Sequence, residues 1–150
     1  MIKVEKSIII HRPIEEVFVF VGDQRNAPQW QHGLLEVWRT TEGPLGVGTR
    51  HTFVRKFMGR KIEASNEYVE YEPNTKITFK STSGPTPFEA SYLFESTAEG
   101  TKLTSKIEMQ PGGFFGLAEP LIAASLRREM EAGGGNLKDL LENRAVGVLS

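Results

Sequence analysis

Apolar and polar residues alternate at the start of the chain with the period of two that is typical of a half-buried strand; the apolar positions are Ile2, Val4, Ile8 and Ile10. Pro13 then suits the first turn of a helix. Beyond it the apolar spacing changes to three and four residues. This spacing predicts a short amphipathic helix ending at Gly22, with an apolar face of Ile14, Val17, Phe18 and Val21.

A second short helical turn is predicted over residues 26–31, which include Pro28 and Trp30. Six strand-like runs separated by turn residues follow it. Short connections join antiparallel neighbours, because a parallel crossover needs about a dozen residues or more. With the opening strand they predict seven strands, mostly in a meander, the later six covering residues 34–41, 49–58, 61–71, 76–82, 88–96 and 101–109.

The periodicity becomes helical after the Pro-Gly-Gly sequence at 111–113. One apolar stripe predicts a single long helix reaching to about residue 143, formed by Ala118, Leu121, Ile122, Leu126, Met130, Leu137, Leu140 and Leu141. Pro120 either starts this helix or kinks it, because proline has no amide hydrogen. Three glycines at 133–135 cost roughly 1 kcal/mol each relative to alanine in a helix interior. Three roles for these glycines stay open. They could widen a cavity, admit the backbone of a partner, or let the helix pack tightly on the sheet.

The alternation makes one face of the sheet apolar, and packing that face on the helix stripe satisfies both. The predicted fold is therefore a single α+β domain over residues 1–150. A curved seven-stranded antiparallel sheet wraps around the long C-terminal helix, with two short helices between the first two strands. One helix laid across such a sheet touches only its middle. Space left between the two layers becomes a cavity of the kind that binds apolar ligands.

Composition excludes several classes of function. Lys and Arg number 18 against 19 Asp and Glu, for a net charge of −1, so we expect no nucleic-acid partner. The absence of cysteine removes disulfides and thiolate chemistry and fits a reducing compartment. The N-terminus lacks a signal-peptide pattern, and no run approaches the roughly 18 apolar residues that span a bilayer. We therefore expect a cytoplasmic protein without membrane insertion.

The sequence carries no motif for a metal or a cofactor. His11, His32 and His51 are the only histidines, and no two are three or four residues apart. Neither an HExxH pair, a phosphate-binding glycine loop nor a nucleophile elbow is present. We therefore predict that the protein uses neither a metal ion nor a cofactor.

Several segments, in their order, resemble the START-like superfamily (SRPBCC, polyketide cyclase/dehydrase-like). They are the sequences SIIIHRPIEEVF at 7–18, PQW at 28–30, GPLGVGT at 43–49 and LKDLLE at 137–142. The resemblance covers nearly the whole chain and implies a helix-grip fold. It implies less about function, because the superfamily includes lipid-transfer domains, ligand carriers and aromatic-polyketide cyclases that share a cavity and little else.

Nine side chains are candidates for contact with a ligand in the cavity. Some are aromatic or apolar, and others are polar residues on the inward phase of their strands, where a buried polar group needs a partner. For the polar residues the alternative is that they bond one another or reach solvent, and for the tryptophan it is packing against the short helices. The candidates are Trp30, His51, Arg55, Asn66, Tyr68, Phe79, Ser81, Tyr92 and Met130.

Three functions stay open at this point. The first is a module that binds a small hydrophobic molecule, lipid-like or polyketide-like. The second is an enzyme of polyketide cyclase or dehydratase type, for which no Asp or Glu is predicted to point inward; Glu129 is assigned to the exposed flank of the long helix. The third is a non-catalytic homodimeric interaction module that pairs through an edge strand or through the glycine-rich helix segment.

Overall fold

A computed structural model describes residues 1–110 and 118–149, and the side chains of residues 1–110 and 118–143. The Pro-Gly-Gly sequence at 111–113 lies outside the described residues. The described chain forms one seven-stranded sheet in the order β1-β7-β6-β5-β4-β3-β2, and all its pairs are antiparallel. The strands are β1 (Ile2–Ile10), β2 (Leu34–Arg39), β3 (Arg50–Phe57), β4 (Arg60–Glu72), β5 (Lys76–Ser83), β6 (Phe88–Thr97) and β7 (Gly100–Met109).

Within the described residues three helices complete the fold, and the predicted helix-grip arrangement is confirmed. Helix α1 spans Ile14–Gly22, a 3-10 helix spans Gln24–Gln29, and helix α2 spans Glu119–Leu149. The 3-10 helix begins two residues before the predicted turn, and α2 continues six residues beyond the predicted end. Pro120 lies in the first turn of α2, where its missing N–H removes no helical hydrogen bond.

Bulges shift the side-chain phase within three strands. The extra residue is Leu35 in β2, between Leu34 and Glu36. It is Val69 in β4, and in β5 it is Thr82, opposite the step from Ser65 to Asn66. A bulge bends its strand and increases the local twist, so these positions contribute to the curvature of the sheet.

Helix α2 runs alongside β1, the edge strand, rather than across the middle of the sheet as the sequence led us to expect. Polar contacts join the two elements along most of their length. Later residues of β1 contact later residues of α2, so the helix and the strand run in the same direction. Lys6 Nζ lies 2.6 Å from Glu131 Oε1, and Lys138 Nζ donates to the Ile9 carbonyl at 2.7 Å. The Glu142 carboxylate accepts from the His11 N–H at 2.9 Å. Beyond β1, the other strands have no comparably close backbone approach to α2 in the described residues.

The buried side chains form two clusters, one toward each end of α2. The larger cluster gathers α1, the 3-10 helix and the later part of α2, with Phe18, Trp30 and Leu137 among its members. The smaller one packs Ile122 and Leu126 of α2 on the first residues of β1. Burial of these side chains is the main stabilising contribution to such a fold.

Truncation of Leu137 to alanine should destabilise the protein by about 2–5 kcal/mol, because Leu137 is 0% exposed and its loss leaves a cavity that the core refills only in part. The measurement is urea denaturation. Leu121→Ala, on the same helix but 65% exposed, is the matched control and should change the free energy of unfolding by about 0.5 kcal/mol or less. Equal effects of the two substitutions would contradict this assignment of the buried helix face.

Candidate functional site

A cavity of about 1030 Å³ lies between the sheet and α2. Its walls include members of both core clusters, so it occupies the space that the helix leaves uncovered beyond β1. Ligand pockets in proteins generally measure about 300–1,000 Å³ and are lined mostly by apolar and aromatic side chains. The apolar wall here is built by Phe53, Phe79, Phe88, Ile107, Ile122 and Leu126, among others.

Four polar side chains from four elements meet on the cavity wall. Arg55 comes from β3, Gln31 follows the 3-10 helix, Tyr92 comes from β6 and Glu129 from α2. Arg55 Nη2 donates to Gln31 Oε1 at 2.7 Å, and Gln31 Nε2 lies 3.5 Å from the Tyr92 hydroxyl. Arg55 Nη1 lies 3.9 Å from Glu129 Oε2. We call these four residues the polar row.

Burial alters the proton affinities within the polar row. It raises the pKa of the Tyr92 phenol to about 12, against a smaller opposing effect of Arg55. It also raises the pKa of the Glu129 carboxyl, again with Arg55 opposing, and lowers the pKa of the Arg55 guanidinium. Tyr92 therefore stays a protonated donor at neutral pH, and Arg55 stays charged because an arginine pKa begins above 12.

The prediction that no carboxylate points inward is wrong for Glu129. Glu129 lies three residues after Leu126 and four before Gly133, so it shares their helix face. Its side chain lines the cavity and is 36% exposed. The spacing was visible in the sequence, but the neighbouring Arg127, Arg128 and Glu131 made the segment resemble a solvated flank.

Six of the nine candidate residues lie on the cavity wall: Trp30, Arg55, Asn66, Phe79, Tyr92 and Met130. Asn66 exchanges two hydrogen bonds with Gln24, at 2.9 and 3.0 Å. This pair satisfies the amide groups of both side chains without a ligand. It gives the cavity a polar spot that is already paired.

The other three candidates, His51, Tyr68 and Ser81, are not part of the wall. The Tyr68 hydroxyl donates to the Gly22 carbonyl at the end of α1, at 2.7 Å, so it anchors that helix to the sheet. Ser81 Oγ accepts from the Phe88 N–H at 3.0 Å and closes the β5–β6 connection. Their inward strand phase was predicted, but the elements that cover them were not.

His51 is fully buried beside the Tyr68 ring, with ring centroids 5.4 Å apart. Neither of its ring nitrogens has a hydrogen-bond partner among the described residues. Burial lowers its pKa from 6.5 to about 4, partly offset by the nearby charge of Asp23. Since a charged ring there would be strongly desolvated, the neutral imidazole acts as a core aromatic.

Trp30 packs against the helices and also lines the cavity. Packing and a position on the cavity wall were given as alternatives for this residue, and the structure shows both. A Cβ atom placed on Gly133 would lie 3.5 Å from the Trp30 ring, and one on Gly134 would lie 3.6 Å from Ile8. Both distances are ordinary van der Waals contacts, so a methyl group would fit at either glycine without a shift of α2. On its other side the indole meets the Tyr92 ring edge to face, at 6.3 Å between centroids.

The described part of the chain shows neither a metal cluster nor a membrane-spanning helix. Within residues 1–110 and 118–143, no three His, Asp or Glu side chains are grouped so as to hold a metal ion. Within the described helices, none combines the length and apolar character needed to cross a bilayer.

Comparison with known proteins finds one matching family and several solved structures of similar fold. A family described as polyketide cyclase / dehydrase and lipid transport matches residues 1–142. The solved structure of TTHA0849 from Thermus thermophilus is similar, with a TM-score of 0.83 at 20% identity over 95% of this chain and 98% of that one. So is the Zhui aromatase/cyclase from Streptomyces sp. R1128, with a TM-score of 0.77 at 14% identity over 95% of this chain and 94% of that one.

A third similar structure is the di-domain ARO/CYC StfQ from the steffimycin biosynthetic pathway, with a TM-score of 0.80 at 14% identity over 96% of this chain and 51% of that one. At these identities the likeness shows the fold alone. A search of curated proteins finds no match to the chain.

The buried His51 should make stability depend on pH. Because its pKa is about 4 folded and 6.5 unfolded, only the unfolded chain takes up this proton between those values, so stability falls as the pH falls. The loss should reach about 2.5 kcal/mol at pH 4.5 relative to pH 7.5. The His51→Phe variant cannot take up this proton. Its free energy of unfolding, measured by urea denaturation, should therefore fall less than that of the wild type over the same pH range, by that amount. Identical losses in the two proteins would rule out the buried neutral ring.

Proposed function

The chain belongs to the polyketide cyclase/dehydrase and lipid transport family, and from this premise we propose that its cavity binds one small, largely apolar molecule, lipid-like or polyketide-like, with a polar end. The observation that carries the proposal is the composition of the wall. Apolar side chains make up most of it, and the polar row contributes two half-buried charged groups, Arg55 and Glu129. The other charged residues of the lining are mostly exposed to solvent; they are Lys6, Arg60, Lys61, Glu63, Lys106 and Glu131. Such a division orients an amphipathic ligand.

The polar row defines what the ligand's polar end must offer. Arg55 and Tyr92 are donors toward the cavity, so they fit an acceptor such as a carbonyl, enolate or carboxylate oxygen. Gln31 holds the guanidinium through a 2.7 Å hydrogen bond, and the ring of Phe53 lies 6.0 Å from Arg55 Cζ. The donor is thereby positioned before a ligand arrives, which reduces the ordering cost of binding.

The apolar body of the ligand would lie against the aromatic wall. Phe79 contacts both Tyr92 and Phe88, at centroid distances of 6.0 and 6.3 Å, and Phe53 contacts Phe88 at 6.2 Å. These rings form a continuous surface that borders the polar row, at Tyr92 on one side and at Phe53 beside Arg55 on the other. Burial of a ligand on it contributes roughly 25 cal/mol for each Å² of apolar area removed from water.

Native mass spectrometry of the purified protein tests this proposal, followed by denaturing identification of whatever is released. We expect an apolar molecule at about one per chain, because the cavity has room for a single ligand of this class. Ala90→Phe, which adds a ring to the cavity wall, should release it. Lys80→Phe adds the same ring to an exposed position of β5 and should retain it. Wild-type protein that stays empty when exposed to fatty acids and polyketide mimics would count against the proposal.

A second candidate function is catalysis, and the position of Glu129 favours it. A carboxyl with a raised pKa beside an arginine is a candidate general base. In an aldol-type cyclisation it would remove a proton from the methylene between two carbonyls of a poly-β-carbonyl chain. Arg55 and Tyr92 would stabilise the resulting enolate as it attacks another carbonyl of the chain. The protonated Glu129 would return its proton to the alkoxide that the attack forms. Its carboxylate would then remove the remaining proton from the attacking carbon and give that proton to the hydroxyl group, which leaves as water while a carbon–carbon double bond forms.

Glu129→Gln should lower the turnover of a poly-β-ketoacyl thioester mimic at least about 100-fold, because an amide neither accepts nor returns the proton. Binding of the mimic should persist, since Arg55 and Tyr92 remain. Asp139→Asn changes an exposed carboxylate of the same helix and should leave turnover unchanged. Product absorbance and native mass spectrometry give the two measurements. Turnover that is equal in Glu129→Gln and wild type, or absent from wild type, leaves binding as the sole function.

The proposal includes a cytoplasmic location and the possibility of a homodimer. The lack of cysteine supports a reducing compartment. Of the two edge strands, β2 offers the more accessible edge for self-pairing, because side chains of α2 bond to backbone groups of β1. The same native mass spectra give the number of subunits.

A further inference from the structure

The hairpin that joins β3 and β4 carries features that do not serve the stability of the fold. Its turn consists of Met58 and Gly59, between the paired residues Phe57 and Arg60. Both turn residues have positive φ angles, 51° and 82°. Two-residue turns of this kind favour Asn-Gly, because most side chains are strained at the first position. Met58 occupies that position and is 54% exposed.

The charges beside the turn are also unfavourable within the protein. Lys56 and Lys61 are directly opposite each other on the two strands, and like charges at opposed positions destabilise a hairpin. Arg60 adds a third positive charge next to the turn, and all three side chains are exposed. Among the described residues, none of the three forms an ion pair, whereas ten other pairs do form.

The hairpin also borders the mouth of the cavity. Phe57, Met58 and Arg60 belong to the cavity lining, and Phe57 packs against the cluster formed by the first turns of α2 and β1. On the helix side, Leu121 is 65% exposed next to the wall residue Ile122. A surface that covered the hairpin would therefore lie at the cavity entrance.

From these observations we propose that the β3–β4 hairpin docks the cavity mouth onto an anionic lipid surface. Three unpaired cations around an exposed apolar tip fit that partner, because phosphates of anionic lipids attract the cations while the thioether enters the interface. The net charge of −1 does not oppose this, because attraction to a charged surface acts over about a Debye length and senses the local cluster. The docking goes beyond the proposed ligand binding and does not depend on what fills the cavity.

Co-sedimentation with vesicles tests the proposal on the full chain. Wild-type protein should bind vesicles of phosphatidylcholine mixed with phosphatidylglycerol, bind pure phosphatidylcholine much less, and dissociate in high salt. The double variant Lys56→Gln/Lys61→Gln should reduce the partition coefficient by roughly 25-fold, from roughly fivefold for each lysine. Lys80→Gln/Lys102→Gln removes the same charge from β5 and β7 and should bind like wild type.

The Met58→Asn variant separates the apolar contribution from the charges. Asparagine suits the positive φ, so the thermal midpoint should not fall, while binding to the mixed vesicles should weaken roughly tenfold through loss of the buried thioether. The proposal is overturned if wild-type protein ignores the mixed vesicles, or if both lysine double variants lose binding equally. Wild-type protein that ignores vesicles but binds immobilised polyglutamate through Lys56 and Lys61 would assign the hairpin to an acidic protein instead.

Discussion

The contact between α2 and β1 is the constraint on which the rest of the structure depends. Ion pairs and side-chain hydrogen bonds to the β1 backbone hold the helix along the edge strand, from the Met1 ammonium on Glu119 at 3.2 Å to His11 on Glu142. A helix fixed to one edge of a curved sheet cannot also cover the opposite strands. Beyond β1, α1 and the 3-10 helix cover only part of the curved face. Apolar side chains on the rest of that face have no helix packed on them, and the cavity follows from that geometry.

The polar row follows from the same arrangement. A guanidinium within an apolar cavity needs partners, because an unpaired buried charge is costly. Arg55 finds them on two separate parts of the chain, at Gln31 after the 3-10 helix and at Glu129 on α2, and Gln31 in turn bonds to Tyr92 on β6. The first partner is held at hydrogen-bond distance and the last is 3.9 Å away. The site is thus firmly built on the Gln31 side and open on the Glu129 side, where a ligand's polar end could intervene.

Periodicity predicted the fold well because it reports which faces are buried. Seven strands and a long helix follow from spacings of two and of three to four residues, and both were found. It predicted the site less well. The alternation placed Tyr68 and Ser81 inward, but their hydroxyls are occupied by Gly22 and Phe88, and those contacts depend on tertiary packing. Bulges in β4 and β5 also reset the side-chain phase, which the pattern of a single strand does not reveal.

Charge patterns along the sequence misplaced one residue and do not reveal one local cluster, for one physical reason. Glu129 was assigned to solvent because its neighbours are charged, although its spacing from Leu126 places it on the inner helix face. The overall balance of −1 averages over a hairpin in which Lys56 and Lys61 oppose each other. Electrostatic energy depends on local separation and exposure rather than on totals. A sum over the sequence therefore conceals both the carboxylate that faces the cavity and a group of exposed cations that form no ion pair with the described residues.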